Sequence, residues 1–192
     1  MAENLFQEIK SVIDITDEDA QKFLSLTKEK TVKRNEFFIR EGDTAKYIAF
    51  VLSGILYTYY VNEKGEKHIV QIALETHWVS DLASFLSGAP ADFNVQAIEE
   101  AKLLILSKAD FEKACQNIKG FERYFRILVQ KAYVHAQKRI SKIYGNSAEE
   151  RYLELLESAP DIMQRVPQHY IASYLGIKPQ SLSRIRKNLI KK

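Results

Sequence analysis

The sequence is poor in cysteine, proline and glycine, and it lacks long apolar runs. Its 192 residues include one cysteine, four prolines and seven glycines. The single Cys115 excludes an internal disulfide, a four-thiolate zinc site and a cysteine-ligated iron–sulfur cluster within one chain. No run of about 18 apolar residues occurs, which excludes a membrane-spanning helix, and the first ten residues lack the apolar core of a signal peptide. We therefore expect a cytoplasmic protein with no membrane partner, no metal ion and no cofactor.

Acidic residues are also missing from one end of the chain. Between Val166 and Lys192 there are six basic residues and no aspartate or glutamate, so this segment carries a charge of +6. The whole chain carries only +3, and residues 1–165 therefore carry −3. This concentration of positive charge favours contact with a polyanion, although a solvated basic tail has the same composition.

Hydrophobic patterning divides the chain into three segments. Up to about residue 30 the apolar residues recur at helical spacing. From about residue 31 to residue 107, short runs of β-branched and aromatic residues alternate with turns such as Glu41-Gly-Asp43 and Ser53-Gly54, which is typical of an antiparallel sandwich or barrel. Beyond Ser107 the helical spacing returns. These patterns predict an α+β fold.

The third segment opens with a long amphipathic helix over residues 121–143. Most of its apolar residues share one broad face, but Ile127 and Val134 lie outside that face. Two apolar patches predict two partners, the β-rich segment and a second copy of the chain. The alternative is that all of these apolar residues face the core of the same chain. The predicted dimer-interface residues are Phe121, Phe125, Leu128, Ala132, His135 and Arg139.

Residues 168–186 have the pattern of a helix-turn-helix. Ala172 is small where two helices would cross, and Gly176, four residues later, can adopt the left-handed conformation that ends a helix. Pro179 suits the first turn of the second helix, where its missing N–H costs nothing. On that helix the polar side chains predicted to face outward suit the major groove of DNA, although an ordinary helical hairpin in a core is the alternative. These residues are Gln180, Ser181, Arg184 and Lys187.

With these segments in this order, the sequence resembles the Crp/Fnr family of bacterial transcription regulators. The resemblance rests on Glu41-Gly-Asp43, Leu52-Ser-Gly54, Ala172-Ser-Tyr-Leu-Gly-Ile177 and Ser181-Leu-Ser-Arg184. It implies a jelly-roll, or β-roll, effector domain over residues 1–118, a dimerisation helix over 119–144 and a helix-turn-helix over 145–192. It also implies a homodimer on a palindromic operator in double-stranded DNA, RNA polymerase as a further partner, and a small-molecule effector of unknown identity, if one exists.

The same resemblance assigns two sets of site residues. Arg184 matches the recognition-helix arginine that reads guanine, and Gln168 and His169 open the preceding helix, where phosphate contacts are usual. The full set of DNA-binding candidates is Gln168, His169, Lys178, Gln180, Ser181, Ser183, Arg184 and Lys187. The candidate effector-pocket residues are Ser80, Asp81, Leu82, Asp92, Phe93, Asn94, Tyr124 and Leu128.

The sequence departs from the family pattern at the phosphate-binding motif. Members that bind cyclic nucleotides carry Gly-Glu-Leu for the ribose and Arg-Ser for the cyclic phosphate. Here the first motif is Ser80-Asp-Leu82 and the second falls on Ala91-Asp92. A methyl group and an added carboxylate in place of an arginine fork would repel a phosphate, so we expect no high-affinity binding of cyclic AMP.

A second departure follows the recognition helix. The family usually continues into a β-hairpin wing, whereas this sequence stops at Lys192, so we expect a winged-helix-like domain with the wing missing. Lys191 and Lys192 would then supply backbone charge in its place, or simply form a solvated end.

Other functions are weaker matches to the sequence. His68 and His77 are candidate haem ligands in the β-rich segment, but single histidines there are usually surface or core residues. The main alternative function is a small-molecule-binding module whose helix-turn-helix contacts protein instead of DNA. An enzyme is not expected, because the sequence has no glycine-flanked nucleophile, paired-histidine metal motif or phosphate-cradling loop.

Overall fold

Two four-stranded antiparallel sheets face each other in the computed structural model, which describes residues 3–190. The first sheet has the strand order β1-β8-β3-β6, and the second has the order β2-β7-β4-β5. The strands are β1 (Lys28–Val32), β2 (Phe37–Ile39), β3 (Tyr47–Ser53), β4 (Leu56–Val61), β5 (Lys67–Ala73), β6 (Trp78–Val79), β7 (Asn94–Ala97) and β8 (Ala101–Ser107). Together these sheets form a β-roll of the jelly-roll type.

Helices precede, interrupt and follow the β-roll. They are α1 (Glu3–Val12), α2 (Asp17–Leu26), α3 (Leu82–Ser87), α4 (Lys108–Asn117), α5 (Phe121–Gly145), α6 (Ala148–Ser158), α7 (Pro160–Arg165), α8 (Gln168–Tyr174) and α9 (Pro179–Ile190). The predicted α+β class is confirmed. Among the described residues no strand follows β8.

The chain passes from the first sheet to the second at Gly54, between β3 and β4. Gly54 has φ +88°, and a Cβ there would lie 2.4 Å from the carbonyl oxygen of Glu100. Because no side chain fits that space, only glycine allows the two strands to connect at this point.

Two hydrophobic clusters stabilise the molecule. The first lies between the sheets, where Phe50, Val95 and Leu103 are fully buried, and it extends to Phe23 of α2 and Phe121 of α5. The second lies on the outer face of the second sheet and joins that sheet to the C-terminal helices; it includes Tyr57 and Tyr59 of β4 and Ile171 of α8. As a result, β4 is buried on both of its faces.

Helix α5 has 25 residues and a length of roughly 37 Å. Its first turn is anchored in the β-roll by Phe121 and Tyr124, each 1% exposed. In contrast, every residue from Gln130 to Lys138 is exposed. The middle of α5 therefore projects from the β-roll before the C-terminal helices begin.

Candidate nucleic-acid interface and effector pocket

The turn between α8 and α9 has the geometry of a helix-turn-helix. Gly176 has φ +68°, the Ile177 N–H donates to the Ala172 carbonyl at 2.9 Å, and the Gly176 N–H donates to the Ser173 carbonyl at 3.0 Å. This pair of hydrogen bonds is the Schellman motif, which ends a helix at a left-handed glycine. Ala172 is fully buried and α9 begins at Pro179, as the sequence pattern predicts.

Helix α9 presents one polar face to solvent. Gln180, Ser183, Arg184 and Lys187 are exposed and occupy positions i, i+3, i+4 and i+7, which share one side of a helix. Leu182, on the opposite side, is 1% exposed and packs against the other C-terminal helices. The exposed face can donate hydrogen bonds to base edges and phosphates.

The remaining DNA-binding candidates surround this face. Lys178 in the turn is exposed, and Ser181 is half-buried. At the start of α8, His169 is exposed with its ring 4.1 Å from that of Tyr170, whereas Gln168 is half-buried. No ion pair within residues 3–190 involves Lys178, Arg184 or Lys187, so their charges are available to an external polyanion.

The predicted effector pocket is organised around one buried carboxylate. Asp81 is 3% exposed and is the N-cap residue of α3. Its Oδ1 accepts from the Ser84 N–H at 3.0 Å, and its Oδ2 accepts from the N–H groups of Asp92 and Phe93 at 2.9 and 3.1 Å. Three backbone donors that could face an anion are therefore already bound to a negative charge of the chain itself.

The other pocket candidates also have partners within the chain. Asn94 contacts Glu41 through two hydrogen bonds, one to its backbone and one to its side chain. Tyr124 accepts from the indole N–H of Trp78 at 2.8 Å and donates to Glu8, and burial raises the pKa of the Glu8 carboxyl. Tyr124 thus connects the β-roll to α1. The Ser80 hydroxyl donates to the Tyr47 carbonyl at 3.0 Å. Leu82, Phe93 and Leu128 are half-buried, and Asp92 is exposed.

An open cleft lies elsewhere on the β-roll. Its volume is about 450 Å³, and none of the predicted pocket residues lines it. Residues that do line it include Lys46, Tyr47, Leu86 and Lys108. The structure therefore does not bring the effector candidates together around this cleft.

The candidate haem ligands have ordinary surface contacts. His77 is exposed and accepts from the Leu74 N–H at 3.1 Å, whereas His68 lies 2.9 Å from the Asn62 amide nitrogen and stacks on Tyr60. Among the described residues, no group of three or more histidine, cysteine or acidic side chains could hold a metal ion. No helix in the described part of the chain is long and apolar enough to cross a membrane.

The six predicted dimer-interface residues fall into three groups. Ala132 and His135 are exposed on the projecting part of α5, and Phe125 and Leu128 are half-buried near its start. Phe121 is buried in the core of its own chain, and the half-buried Arg139 donates hydrogen bonds to β5.

Similarities to known proteins agree with this architecture. Residues 29–118 match the family model of the cyclic nucleotide-binding domain. Over 188 residues the chain is 22% identical to the transcriptional activator protein Anr of Pseudomonas aeruginosa, covering 90% of this chain and 75% of Anr. It superposes on FixK2 of Bradyrhizobium japonicum with a TM-score of 0.73 at 19% identity, over 86% of this chain and 85% of FixK2. It also superposes on CLP, a c-di-GMP-responsive global regulator of Xanthomonas campestris, with a TM-score of 0.69 at 16% identity, over 92% of each chain.

The β-roll of this chain is similar to the cyclic nucleotide-binding domain, and the chain as a whole has the same fold as FixK2 and CLP. The resemblance found in the sequence is confirmed, and so is the order of its parts, a β-roll, a long helix and C-terminal helices.

In this chain the helix-turn-helix packs against the β-roll. Tyr170 of α8 stacks on Tyr57 of β4 with ring centroids 4.6 Å apart, and their hydroxyl oxygens are 3.1 Å apart. The Tyr57 hydroxyl donates to Gln96 at 2.5 Å and accepts from Lys67 at 3.2 Å. Burial raises the pKa of Tyr57, so this phenol stays neutral and serves as a link between the sheet and α8.

Backbone groups of β5 complete the same contact. The Ser173 hydroxyl accepts from the Ile69 N–H at 3.0 Å and donates to the Lys67 carbonyl at 2.9 Å. Arg139 of α5 donates to the carbonyls of Ile69 and Val70, and its guanidinium lies 4.5 Å from the ring centroid of Tyr174. Helices α5 and α8 are therefore both bound to one strand of the β-roll.

An ion-pair cluster forms a further contact between the β-roll and the C-terminal helices. Arg165, the last residue of α7, donates to both carboxylate oxygens of Glu75 at 2.8 and 3.0 Å and also contacts Glu99. The hydrogen bonds from Arg165 lower the pKa of Glu75 to about 2. This two-pronged geometry fixes the end of α7 to the loop after β5.

Sequence reasoning missed this interface between the β-roll and the C-terminal helices. A signal was present in β4, where Leu56, Tyr57 and Tyr59 place large side chains on both faces of one strand. Strands with that pattern are covered on both sides. The sequence did not, however, identify which element would cover the outer face.

Proposed function

We propose that this protein is a DNA-binding transcription regulator in which α9 is the recognition helix. The observation that carries this proposal is the exposed face of Gln180, Ser183, Arg184 and Lys187, on a helix held by a Schellman turn at Gly176. Arginine and glutamine side chains in such a helix can bind guanine and adenine edges in pairs of hydrogen bonds. The remaining basic residues of the C-terminal segment would contact phosphates.

We further propose that the regulator acts as a homodimer paired along α5. Helix α5 carries large apolar side chains in water: Tyr133, Val134 and Ile140 are 63%, 47% and 57% exposed. Pairing two copies along one side of the helix would bury Tyr133 and Ile140, which lie on the same side, whereas Val134, Ala132 and His135 lie on other sides. A two-fold dimer presents two recognition helices, which requires a palindromic operator with half-sites about one helical turn apart.

The effector pocket is proposed not to bind cyclic AMP. Asp81 already occupies the three N–H groups of Ser84, Asp92 and Phe93, and no arginine stands at Ala91 to pair with a phosphate. A cyclic phosphate would have to displace a buried carboxylate and then lie beside it. Isothermal titration tests this proposal, and micromolar or tighter binding of cyclic AMP or cyclic GMP would contradict it.

Three further expectations stay predictions. They are the division of the chain after residues 118 and 144, a cytoplasmic location, and RNA polymerase as a partner.

Selection of bound duplexes from a random DNA pool tests the main proposal. We expect enrichment of an inverted repeat, with affinity that falls steeply as salt increases because phosphate contacts release counterions. The matched control is the Arg184→Ala, Lys187→Ala double variant, which should enrich the motif more weakly and without a preference at the base pair that Arg184 contacts. If the unaltered protein enriches no sequence, or if its binding does not depend on salt, the helix-turn-helix serves another purpose, such as contact with protein.

A further inference from the structure

One arginine of α6 contacts backbone carbonyls from two different helices. The Arg151 Nε donates to the Leu175 carbonyl at the end of α8 at 3.1 Å. Its Nη1 donates to the carbonyls of Lys142 and Ile143 at 3.3 Å each, and also to that of Asn146. Arg151 therefore connects the end of α5 to the turn of the helix-turn-helix.

These acceptors explain why a guanidinium is required. The Lys142 carbonyl also accepts from the Asn146 N–H, but the carbonyls that follow it at the end of α5 have no partner within the helix, and they form the negative end of its dipole. A guanidinium offers five N–H donors in a fixed plane, so one side chain can bind both helix ends at once. A lysine ammonium at the same position is a single point donor and cannot span both.

The surrounding contacts keep this junction stiff. Helix α6 begins with a capping box in which Ser147 and Glu150 exchange hydrogen bonds, and this fixes its first turn directly after α5. On the far side, a Cβ at Gly176 would lie 3.8 Å from Ile143 of α5, so the turn lies against the long helix. The recognition helix follows that turn after two residues.

We propose that Arg151 is a positioning residue that sets the distance and rotation between the two recognition helices of the dimer, and therefore the half-site spacing of the operator. This inference rests on the proposed function, a dimer paired along α5 that reads DNA with α9. In a two-fold dimer, any bend between α5 and the helix-turn-helix occurs twice, once in each subunit. A base pair inserted between half-sites shifts one of them by about 3.4 Å along the DNA axis and rotates it, so a stiff junction makes binding selective for spacing.

The experiment uses the full chain and duplexes built from the half-site obtained by selection. Three duplexes carry the selected spacing, one base pair more and one base pair less, and a fourth carries a single half-site. Fluorescence anisotropy gives each affinity for the unaltered protein, Arg151→Met and Arg151→Lys. The control is Arg34→Met, which removes an exposed arginine from the turn between β1 and β2.

The unaltered protein and Arg34→Met should lose about tenfold in affinity when the spacing changes by one base pair. For Arg151→Met we expect the three spacings to differ by less than about threefold, while affinity for the single half-site stays within about twofold, because α9 itself is intact. The spacing preference of Arg151→Lys should lie between those of the unaltered protein and Arg151→Met. This split between spacing and half-site affinity separates positioning from a general loss of structure.

The proposal is overturned if Arg151→Met keeps the original spacing preference, or if it loses half-site binding as strongly as operator binding. Circular dichroism shows whether Arg151→Met is folded. If it is unfolded, the spacing preference of Arg151→Lys is the deciding measurement, and an unchanged preference in that variant also overturns the proposal. Failure of the unaltered protein to bind any duplex would instead refute the proposed function.

Discussion

Replacing Asp81 by asparagine tests whether its carboxylate is the internal partner of the effector-pocket amides. Asparagine is a good N-cap, so its Oδ1 should keep the bond from the Ser84 N–H. An NH₂ group replaces Oδ2 and faces the N–H donors of Asp92 and Phe93, so two charge-assisted hydrogen bonds are lost. Such bonds contribute about 1.5–3 kcal/mol each, and relief of the buried charge offsets part of the loss, so we expect the free energy of unfolding to fall by about 2–4 kcal/mol.

The measurement is urea unfolding followed by fluorescence of Trp78, the only tryptophan, which lies in the β-roll. The control is Ser107→Ala, which removes the N-cap of α4, an interaction that typically contributes about 1 kcal/mol, together with a hydrogen bond from the Ser107 hydroxyl to Asp110. If Asp81→Asn costs no more than Ser107→Ala, the carboxylate does not hold these amides. The argument against cyclic AMP binding would then lose its structural basis.

Three other predictions concern the DNA interface, the ion-pair cluster and the dimer. Arg184→Ala should cost about 1–3 kcal/mol of operator binding and relax the preference at one base pair per half-site. Lys187→Ala should weaken binding to all sequences alike and reduce the slope of log affinity against log salt by about 1. Unchanged sequence discrimination in Arg184→Ala would contradict the proposed position of α9 in the major groove. Because the pKa of Glu75 is lowered to about 2, its pairing with Arg165 stabilises the fold fully above about pH 4.5 and is lost as the pH falls toward 2. Glu75→Gln should therefore have a lower free energy of unfolding than the unaltered protein at neutral pH, by no more than about 1 kcal/mol because the pair is partly exposed. This difference should shrink as the pH falls, and a difference that persists at pH 2 would refute the prediction. Ile140→Glu should shift the protein toward monomers in sedimentation velocity, and a dimer of unchanged stability would place the interface elsewhere.

Local signals allowed the fold and the helix-turn-helix geometry to be predicted. The change from helical to strand periodicity, and the combination of Ala172, Gly176 and Pro179, depend only on near neighbours in the sequence. For the same reason the spacing placed Gln180, Arg184 and Lys187 on the exposed face of α9, although Ser181, which was predicted to share that face, is half-buried and Ser183 is exposed instead. These features needed no knowledge of the rest of the molecule.

The contacts between distant segments could not be predicted in this way. Arg139 was assigned to the dimer interface because it lies on α5, but its guanidinium donates to carbonyls 69 and 70 residues away. Asp81 was identified only as a candidate effector-pocket residue, whereas in the structure it binds the amides of Asp92 and Phe93. Both roles depend on which backbone groups the fold leaves without partners, and sequence patterns do not contain that information.

The position of β5 gives the contact with α8 a second consequence. β5 is the last strand of its sheet, so only one of its sides is paired with another strand. On the other side Ser173 and Arg139 satisfy the polar groups of Lys67, Ile69 and Val70. An uncovered strand of this kind recruits strands from other molecules. The C-terminal helices therefore also protect the β-roll from aggregation, and a β-roll produced without them would be prone to self-association through β5.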